Sequence, residues 1–377
     1  MSETLPQPQT AEEIRAEELR PYWLDPREDY PEPHFLFEYN GVGFSPLGGI
    51  QAISGQKKNG KTFVLAQLMA AALGSGTERV TNYLGTLKTR ESTVEWLGHK
   101  PKVLYCDTEM EKLNTAKVLR RVHWLCGWDM KQPSEQFFVL WLREVPKTDT
   151  KTSNTERWRL IKNAIEQVSP DIVFVDGLRD LVNDFNDNQE SAAIVGEMMS
   201  LASQRNICIW NVLHMNPRPQ NDDESKMRGH LGTELGNKVS DTFVSSKKKD
   251  DNTGKVIFTV KQQDARSKDV DNWQFEIVDD AGGLGIPKIL SEPQDNEPKG
   301  DTPERILSWI NKAEGRYSWP MSRKQVKELV FGEIGGQRNH TMQDLDLNIA
   351  LNLNWLEPST IKKNGSYMLQ PVQDLPF

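Results

Sequence analysis

Two kinds of apolar pattern alternate along the central part of the chain. Short, nearly continuous apolar runs are typical of strands buried on both faces, whereas apolar residues spaced three to four apart are typical of helices. Strand-like and helix-like segments follow one another in this order: Lys102–Asp107, Leu113–Leu125, Phe137–Leu142, Thr155–Val168, Asp171–Asp176, Asn188–Gln204 and Ile207–Leu213. The alternation predicts an α/β fold with a mostly parallel sheet and flanking helices, which binds ligands at the carboxyl ends of its strands.

The pattern changes after the last of these strands. Met215–Gly236 is polar and contains several Gly and Pro residues, which predicts a long flexible loop. Three further strand candidates follow, Thr242–Ser246, Lys255–Lys261 and Trp273–Val278, and turn-forming residues separate them. The lysines of Lys247–Lys249 are predicted to form a solvated turn. This part therefore predicts an antiparallel extension of the sheet.

A second unit is predicted near the C-terminus. Asp301–Glu304 and Ser322–Gln325 each match a capping box, which predicts two helix starts. A third helix is predicted over Asn339–Ile349, and a β-hairpin from Trp355 to Leu369. Three helices followed by a hairpin suggest a winged helix, for which both a DNA partner and a protein partner stay open.

These patterns predict four parts, namely an acidic N-terminal arm at 1–34, a main domain at 35–281, a linker at 282–300 and a winged-helix-like domain at 301–377. One helix is predicted in the arm, at Ala11–Leu19. A polar insertion at 74–100 is expected to contain a short helix near Thr93–Leu97.

Composition narrows the class of protein. No apolar run is long enough to span a membrane, and no basic segment followed by an apolar one begins the chain, so we expect a cytoplasmic protein. The three cysteines fit no metal spacing and are expected to be buried and reduced. Net charge is −8, but residues 1–40 hold three Arg against ten acidic residues, so the remainder carries only −1. A nucleic-acid partner is therefore not excluded, and the arm is either a solvated tail or a docking segment.

The strongest chemical signal is a phosphate-binding loop between a short apolar strand and a Leu- and Ala-rich helix. Its residues fit G-x-x-x-x-G-K-[ST], in which backbone N–H groups cradle phosphates, Lys61 reaches the β- and γ-phosphates, and Thr62 binds Mg²⁺. The predicted nucleotide-binding residues are Gly55, Gln56, Lys57, Lys58, Asn59, Gly60, Lys61, Thr62 and Phe63. ATP and Mg²⁺ are the expected ligands.

Two carboxylates at strand ends are candidates for the chemistry. Asp176 ends an apolar strand and fits the Walker B aspartate that holds Mg²⁺. Its successor is Gly177, so the glutamate that AAA+ motors carry there is absent. Glu109, which follows the strand at Lys102–Asp107, is the candidate catalytic base; the alternative is a surface glutamate that caps the next helix.

Four stretches, taken in their order along the chain, resemble the RecA/DnaB-like hexameric ATPases. They are Gly55–Thr62, Asp107–Glu109, Asp171–Asp176 and Trp210–His214. The closest resemblance is to the RepA-type subfamily of plasmid and mobile-element replicative helicases, and Phe35–Val42 also looks like members of that group. The similarity covers about residues 35–280.

The resemblance implies a RecA-like fold, a hexameric ring with ATP bound between subunits, and single-stranded DNA in the channel. It makes Glu109 the catalytic base, His214 the γ-phosphate sensor, and Arg266 or Lys261 the finger that reaches a neighbouring subunit. A structural role for His214 stays open. The spacing of Lys261 and Arg266 departs from the Lys-x-Arg pattern of the family. In a ring, Arg228 and His230 of the long loop could face the channel; the alternative is a merely solvated loop.

The sequence therefore predicts an ATP-hydrolysing motor acting on DNA, as a RepA-type hexameric helicase or a mobile-element replication ATPase. One alternative is a DNA-bound regulatory ATPase whose assembly is switched by nucleotide. A second alternative is a P-loop kinase or another phosphotransferase.

Overall fold

The computed structural model describes residues 22–147, 152–215, 227–249, 254–290, 303–335, 340–363 and 366–372. The chain divides into two compact units, Met1–Ser291 and Glu292–Phe377. The helix predicted at Ala11–Leu19 lies outside the described residues. None of the described helices is long and apolar enough to cross a membrane.

The first unit is built on a nine-stranded sheet with a smaller three-stranded sheet beside it. Its strands are β1 (Phe35–Tyr39), β2 (Val42–Pro46), β3 (Ile50–Gly55), β4 (Lys88–Thr89), β5 (Val103–Asp107), β6 (Phe137–Trp141), β7 (Ile172–Asp176), β8 (Cys208–His214), β9 (Asp241–Lys249), β10 (Val256–Ala265), β11 (Trp273–Val278) and β12 (Ile286–Ile289). The large sheet has the order β12-β11-β10-β9-β3-β8-β7-β5-β6, and β1 lies between β2 and β4 in the small one.

The strands from β9 to β6 run parallel, and β10, β11 and β12 extend the sheet with antiparallel pairs. The helices of this unit are Lys61–Gly74, Glu78–Leu84, Glu91–Leu97, Lys112–Leu125, Ser153–Val168, Asn188–Arg205 and Gly229–Lys238, with a short 3₁₀ turn at Leu178–Leu181. The predicted α/β class and the antiparallel extension are confirmed.

Apolar residues pack on both faces of the parallel strands. In β5, Val103 and Tyr105 join the cluster beneath the helix Lys61–Gly74, whereas Leu104 and Cys106 join the cluster on the opposite face. Because successive side chains of a strand point to opposite faces, a strand covered on both sides has an unbroken apolar run. All three cysteines are buried and unpaired, as expected.

One predicted loop contains regular structure. Gly229–Lys238 is a helix, although Met215–Gly236 was expected to lack one. Leu231 and Leu235 are buried and four positions apart, so they anchor one face of the helix. The glycines of this segment conceal that periodicity in the sequence. Residues 216–226 of the predicted loop lie outside the described residues.

Two further segments differ from expectation. Lys247–Lys249, predicted as a turn, forms the end of β9 and pairs with Val256–Phe258 of β10. The lysine side chains are exposed, so polar residues suit this part of the ladder. Ile286–Ile289 lies within the segment predicted as a linker, yet it pairs with β11, and Ile286 and Ile289 are buried.

The second unit has its own core and follows the predicted order. Its elements are the helices Pro303–Glu314, Arg323–Gln325 continuing as a π-helix over Val326–Ile334, and His340–Asn352, followed by β13 (Leu356–Lys363) and β14 (Ser366–Pro371). The capping box at Ser322 and Gln325 is present. Ile306, Ile310 and Phe331 are fully buried within this unit.

Candidate functional site

The loop between β3 and the helix Lys61–Gly74 depends on two glycines. Gly55 has φ +157° and Gly60 has φ +83°. A Cβ at position 55 would lie 2.4 Å from the Ser245 carbonyl oxygen, and one at position 60 would lie 2.6 Å from Phe258 Cδ1. Only glycine fits both places, so the turn that exposes the start of the helix is fixed by sequence.

Lys61 is 7% exposed and lies beneath the loop. Its Nζ donates to the carbonyl oxygens of Gly55 at 3.0 Å and Gln56 at 2.9 Å, and lies 3.2 Å from His214 Nδ1. A lysine ammonium has three donors, and these three contacts use all of them. Burial lowers the pKa of Lys61, while Asp176 and Glu109 oppose that effect.

Asp176 lies at the end of β7, next to the start of the P-loop helix. Its Oδ2 accepts hydrogen bonds from Thr62 Oγ1 at 3.0 Å and from the Tyr105 hydroxyl at 2.9 Å. Burial raises the pKa of Asp176 to about 7, and the charges of Asp107 and Glu109 add to the shift. Thr62 and Asp176 are thus brought together as predicted, whereas Tyr105 enters the site from the core.

The end of β5 sets the position of Glu109. Asp107 Oδ1 accepts the backbone N–H groups of Glu109 at 3.0 Å and Met110 at 2.9 Å, and Oδ2 accepts the Thr115 hydroxyl at 2.5 Å. Burial raises the pKa of Asp107, and these hydrogen bonds work against the increase. Asp107 therefore holds the turn after β5, a role that strand patterning does not reveal.

Gly177 makes room for Glu109. A Cβ at position 177 would lie 2.1 Å from Thr108 Oγ1 and 2.7 Å from Glu109 Cγ, and Gly177 has φ +109°. Thr108 Oγ1 in turn donates to the Gly177 carbonyl oxygen at 2.9 Å. A side chain after Asp176 and the observed position of Glu109 are therefore sterically incompatible.

His214 lies between Lys61 and Glu109. Because the lysine nitrogen has no acceptor, His214 Nδ1 accepts from it, which leaves the proton of the neutral ring on Nε2. Nε2 is 3.5 Å from Glu109 Oε2. The hydrogen bond from His214 lowers the pKa of Glu109, against the effect of burial, and Lys61 and Lys57 lower it further. Lys61, His214 and Glu109, all three predicted as site residues, therefore form one continuous row of side chains.

A cavity of about 490 Å³ opens beside this row. Its lining residues are Lys58, Asn59, Gly60, Lys61, Thr62, Phe63, Glu109, Met110, Asn114, Lys117, Val118, Arg121, Asp176, His214 and Phe258. Gly55, Gln56 and Lys57, which were also predicted to bind nucleotide, are not among them.

Arg121 forms one wall of the cavity and is 6% exposed. Its guanidinium lies 4.2 Å from the Phe63 ring centroid and donates at 2.7 Å to the carbonyl oxygens of both Leu284 and Gly285. Burial lowers the pKa of Arg121 to about 10. Nothing in the helical spacing distinguishes this arginine from a surface residue, because its partners lie more than 160 positions away.

The cavity fits a magnesium nucleotide. Gly60 leaves space at the start of a helix, where N–H groups and the dipole favour phosphate. Thr62 and Asp176 place a hydroxyl and a carboxylate oxygen 3.0 Å apart, and oxygen ligands suit Mg²⁺. Glu109 supplies a carboxylate on the far side of Lys61.

Lys261 and Arg266 lie away from this cavity. Lys261 is exposed in the middle of β10. Arg266 follows β10, and its Nη2 lies within 3.4 Å of two carbonyl oxygens at the end of the helix Gly229–Lys238. Ala265 pairs with Asp241, the first residue of β9. Arg266 is therefore at the edge of the sheet opposite to the P-loop of its own chain.

The segment after β8 begins and ends beside the P-loop. The Met215 N–H donates to the Gly55 carbonyl oxygen at 3.3 Å, and the Arg228 N–H donates to the His214 carbonyl oxygen at 3.0 Å. Met215 and Met227 also form an antiparallel bridge. Arg228 is thus one backbone hydrogen bond away from His214.

Arg228 belongs to an exposed cluster around Phe185. The guanidinium carbons of Arg179 and Arg228 lie 4.6 Å and 5.2 Å from the Phe185 ring centroid. Both arginines and His230 are exposed, and Phe185 is half-buried. A Cβ on Gly229 would lie 2.4 Å from Phe185 Cδ2, so this glycine permits the close approach. We call Arg179, Phe185 and Arg228 the Phe185 cluster.

Comparison with known proteins finds a family similarity for part of the chain. A family model described as an AAA domain matches residues 37–217. No curated protein matches the sequence. Among solved structures, a KaiC-like protein from the hyperthermophilic archaeon Pyrococcus horikoshii OT3 aligns with a TM-score of 0.43 and 12% sequence identity, covering 66% of this chain and 92% of that one.

The matched segment holds the P-loop, Glu109, Asp176 and His214. Although the family model is described as an AAA domain, the glutamate that AAA+ motors carry after the Walker B aspartate is replaced here by Gly177. β8 separates the P-loop strand from the Asp176 strand in the parallel sheet. Residues 37–217 are thus similar to an AAA domain, and they carry the P-loop on the mostly parallel sheet with flanking helices that was predicted.

Proposed function

We propose that the protein is an ATP-hydrolysing motor that acts on DNA, as a RepA-type hexameric helicase or a related mobile-element replication ATPase. The observation that carries the proposal is the direct connection between the row Lys61–His214–Glu109 and the Phe185 cluster. His214 contacts Lys61 through its side chain and Arg228 through its carbonyl oxygen. A change at the γ-phosphate is therefore transmitted over one residue.

In the hydrolytic step, a water oxygen attacks the γ-phosphorus and the bond to the β–γ bridging oxygen breaks, which releases ADP and phosphate. Thr62 and Asp176 would hold Mg²⁺, which would supply charge neutralisation at the phosphate oxygens. Glu109 orients the attacking water as a carboxylate, since its pKa is lowered by the His214 hydrogen bond. The proton of the water leaves with the phosphate product or through Glu109.

The exchange of partners at Lys61 couples this step to the surface. All three donors of Lys61 have protein acceptors, so a bound phosphate must replace at least one of them. Replacement of His214 as the acceptor frees Nδ1 from Lys61, while Nε2 keeps its contact with Glu109. His214 then serves as the sensor, and Arg228, whose N–H donates to the His214 carbonyl oxygen, moves with it.

The Phe185 cluster is the proposed contact for single-stranded DNA. Arg179 and Arg228 offer charge for phosphates, and Phe185 offers a ring on which a base can stack. The cluster lies beyond the carboxyl ends of β7 and β8, the edge that also carries the cavity. Arg228 and His230 were expected to face the channel of a ring, and their exposure supports that arrangement.

The proposal includes a hexameric ring in which Arg266 or Lys261 reaches the cavity of a neighbouring subunit. The position of Arg266, away from the cavity of its own chain, supports a role in trans. Mixing Lys61→Ala subunits with Arg266→Ala subunits tests this role, because a shared site recovers part of the activity that each variant lacks. The same mixture with Lys261→Ala distinguishes the two candidates. No recovery with either one contradicts the assignment.

The function is tested by ATPase rates and nucleotide-dependent oligomer mass, with and without single-stranded DNA. We expect Glu109→Gln to bind ATP normally and to hydrolyse it at least about a hundredfold more slowly. We expect the wild-type rate to rise with single-stranded DNA and a ring to form with nucleotide. A DNA-independent rate together with a monomer would contradict the motor, and Glu109→Gln with a wild-type rate would contradict the catalytic assignment.

The two alternatives have less support. A DNA-bound regulatory ATPase needs the C-terminal unit to bind duplex DNA, yet the third helix, His340–Asn352, contains two Asp and no Lys or Arg. Deleting residues 292–377 decides this, because the regulatory protein then loses all DNA binding while the motor retains it. A phosphotransferase would transfer phosphate to an added acceptor as a monomer, with no response to DNA.

A further inference from the structure

A tyrosine of the core reaches Asp176, the carboxylate at which Mg²⁺ is expected. Tyr105 lies two residues before Asp107 in β5, and its side chain is fully buried between the sheet and the P-loop helix. β5 pairs with β7 so that Tyr105 is opposite Phe174 and Asp107 is opposite Asp176. This register places the Tyr105 hydroxyl beneath the Asp176 carboxylate.

Two hydroxyl groups converge on one oxygen of that carboxylate. Tyr105 donates to Asp176 Oδ2 at 2.9 Å and Thr62 donates to the same atom at 3.0 Å. No side chain of the described residues donates to Asp176 Oδ1, and Asp176 lines the cavity. The pair of donors therefore fixes the rotation of the carboxylate and leaves Oδ1 to the ligand side.

We propose that Tyr105 is a positioning residue for the Mg²⁺ site, and that it holds the Asp176 carboxylate in the orientation that receives the ion. This inference rests on the proposed ATPase function. Thr62 must direct its oxygen to Mg²⁺ and keeps one proton for Asp176. Tyr105 has no such second task, so it is the donor that stays in place whether or not the ion is bound. An ionised carboxylate this deeply buried also needs the second hydrogen bond.

The test compares Tyr105→Phe with wild type by titrating Mg²⁺ against a fluorescent ATP analogue. We expect the Mg²⁺ concentration at half-saturation to rise about tenfold to a hundredfold, as for the loss of a hydrogen bond to a charged group. Nucleotide affinity in EDTA should be unchanged, and the ATPase rate at saturating Mg²⁺ should stay within a few-fold of wild type. A merely structural role would lower both of these as well.

The matched control is Tyr39→Phe, a second buried tyrosine of the same unit that lies in β1 of the three-stranded sheet, away from Asp176. Its Mg²⁺ midpoint should equal that of wild type. An unchanged midpoint for Tyr105→Phe, or an equal shift in both variants, would overturn the inference. Failure of wild type to bind Mg²⁺ and ATP would instead overturn the proposed function, so the two failures are distinguishable. Thermal unfolding of both variants confirms that each is folded.

Discussion

At the scale of single residues, the site is a set of ionisable groups that compensate for one another's burial. Lys61 and Asp176 are almost inaccessible, at 7% and 5% exposure, and are not directly paired. Instead, backbone carbonyl oxygens accept hydrogen bonds from Lys61, and hydroxyl groups donate to Asp176. His214 links Lys61 to Glu109. The charged form of the Asp176 carboxylate is therefore unfavourable in free energy until a cation binds.

That cost gives a pH dependence of stability. Asp176 has a pKa of about 7 in the folded protein against 3.8 in its ordinary state, so the folded chain holds this proton more tightly. Stability from this group is therefore present below pH 4 and is lost as pH rises towards 7. In EDTA, Asp176→Asn should raise the free energy of unfolding at pH 8 by on the order of 2 kcal/mol.

Urea unfolding measures this difference in the free energy of unfolding. The difference should be smaller at pH 5, because Asp176 of the folded wild type is then protonated and neutral, as asparagine is. The asparagine keeps an acceptor for Thr62 and Tyr105. A difference that stays constant from pH 5 to pH 8 would show that Asp176 titrates normally.

Gly177 supports a second prediction about single residues. Gly177→Ala places a Cβ against Thr108 and Glu109 and forces a backbone with φ +109° on alanine. We expect hydrolysis to fall about a hundredfold while ATP binding changes little, because Glu109 is displaced and the phosphate loop is not. Single-turnover ATPase and equilibrium binding separate the two effects.

Gly196→Ala is the control, since a Cβ there meets nothing within 4 Å and the residue lies inside a helix. It should leave hydrolysis unchanged and stabilise the helix slightly. Equal loss of binding and hydrolysis in Gly177→Ala would mean that the glycine supports the whole site and not the position of Glu109.

At the scale of elements, the end of β8 meets the start of the helix Gly229–Lys238, where the Arg228 N–H donates to the His214 carbonyl oxygen. The sequence pattern predicts β8 and His214 at its end, because a buried parallel strand has an unmistakable apolar run. It does not predict the helix, since four glycines or polar residues surround each buried leucine. It also cannot show that Arg179 and Arg228 share Phe185, because that contact joins two segments nearly fifty positions apart in the chain.

The same limit applies to the chemistry. Gly55–Thr62, Glu109 and Asp176 follow from motif and strand ends, and the structure brings all of them to one edge of the sheet. Tyr105 and Arg121 act through long-range contacts, so their residue types look ordinary in the sequence, and the hydrogen bonds of Asp107 to the turn after β5 are visible only in the structure. The sequence pattern thus identifies the residues that are predicted to contact a ligand. The residues that position them are found only from the packing of the folded chain.

Gly229 provides the prediction for this element. Gly229→Ala should displace Phe185 from between the two arginines, because the added Cβ would lie 2.4 Å from its ring. We expect stimulation of the ATPase by single-stranded DNA to fall at least fivefold, with the DNA-free rate within about twofold of wild type. Gly236→Ala, in the same helix, would bring a Cβ only to 3.4 Å from Met227 Cε and should change neither rate. Equal stimulation in both variants would remove the Phe185 cluster from the DNA contact.

At the scale of the whole molecule, two separately packed units share one chain. The first holds every residue of the cavity, and the second has a core of its own around Ile306, Ile310 and Phe331. Neither core needs residues from the other, so each unit has the requirements of an independent folding domain.

A chain ending at Ser291 should therefore fold and bind ATP like the full-length protein. Thermal unfolding should remain cooperative, and the nucleotide should raise the melting temperature by the same amount. A truncated chain that aggregates, or that no longer responds to ATP, would show that the C-terminal unit supports the first one.

The hydrogen bonds that join Met215 to Gly55 and Arg228 to His214 have one more consequence. They hold Met215 and Arg228, described residues on either side of residues 216–226, beside the P-loop through contacts of their own. The free energy of closing such a connection changes by only about 0.6 kcal/mol for each doubling of its length. A change in the length of residues 216–226 should therefore alter the free energy of unfolding little, while Met215 and Arg228 keep their contacts beside the P-loop.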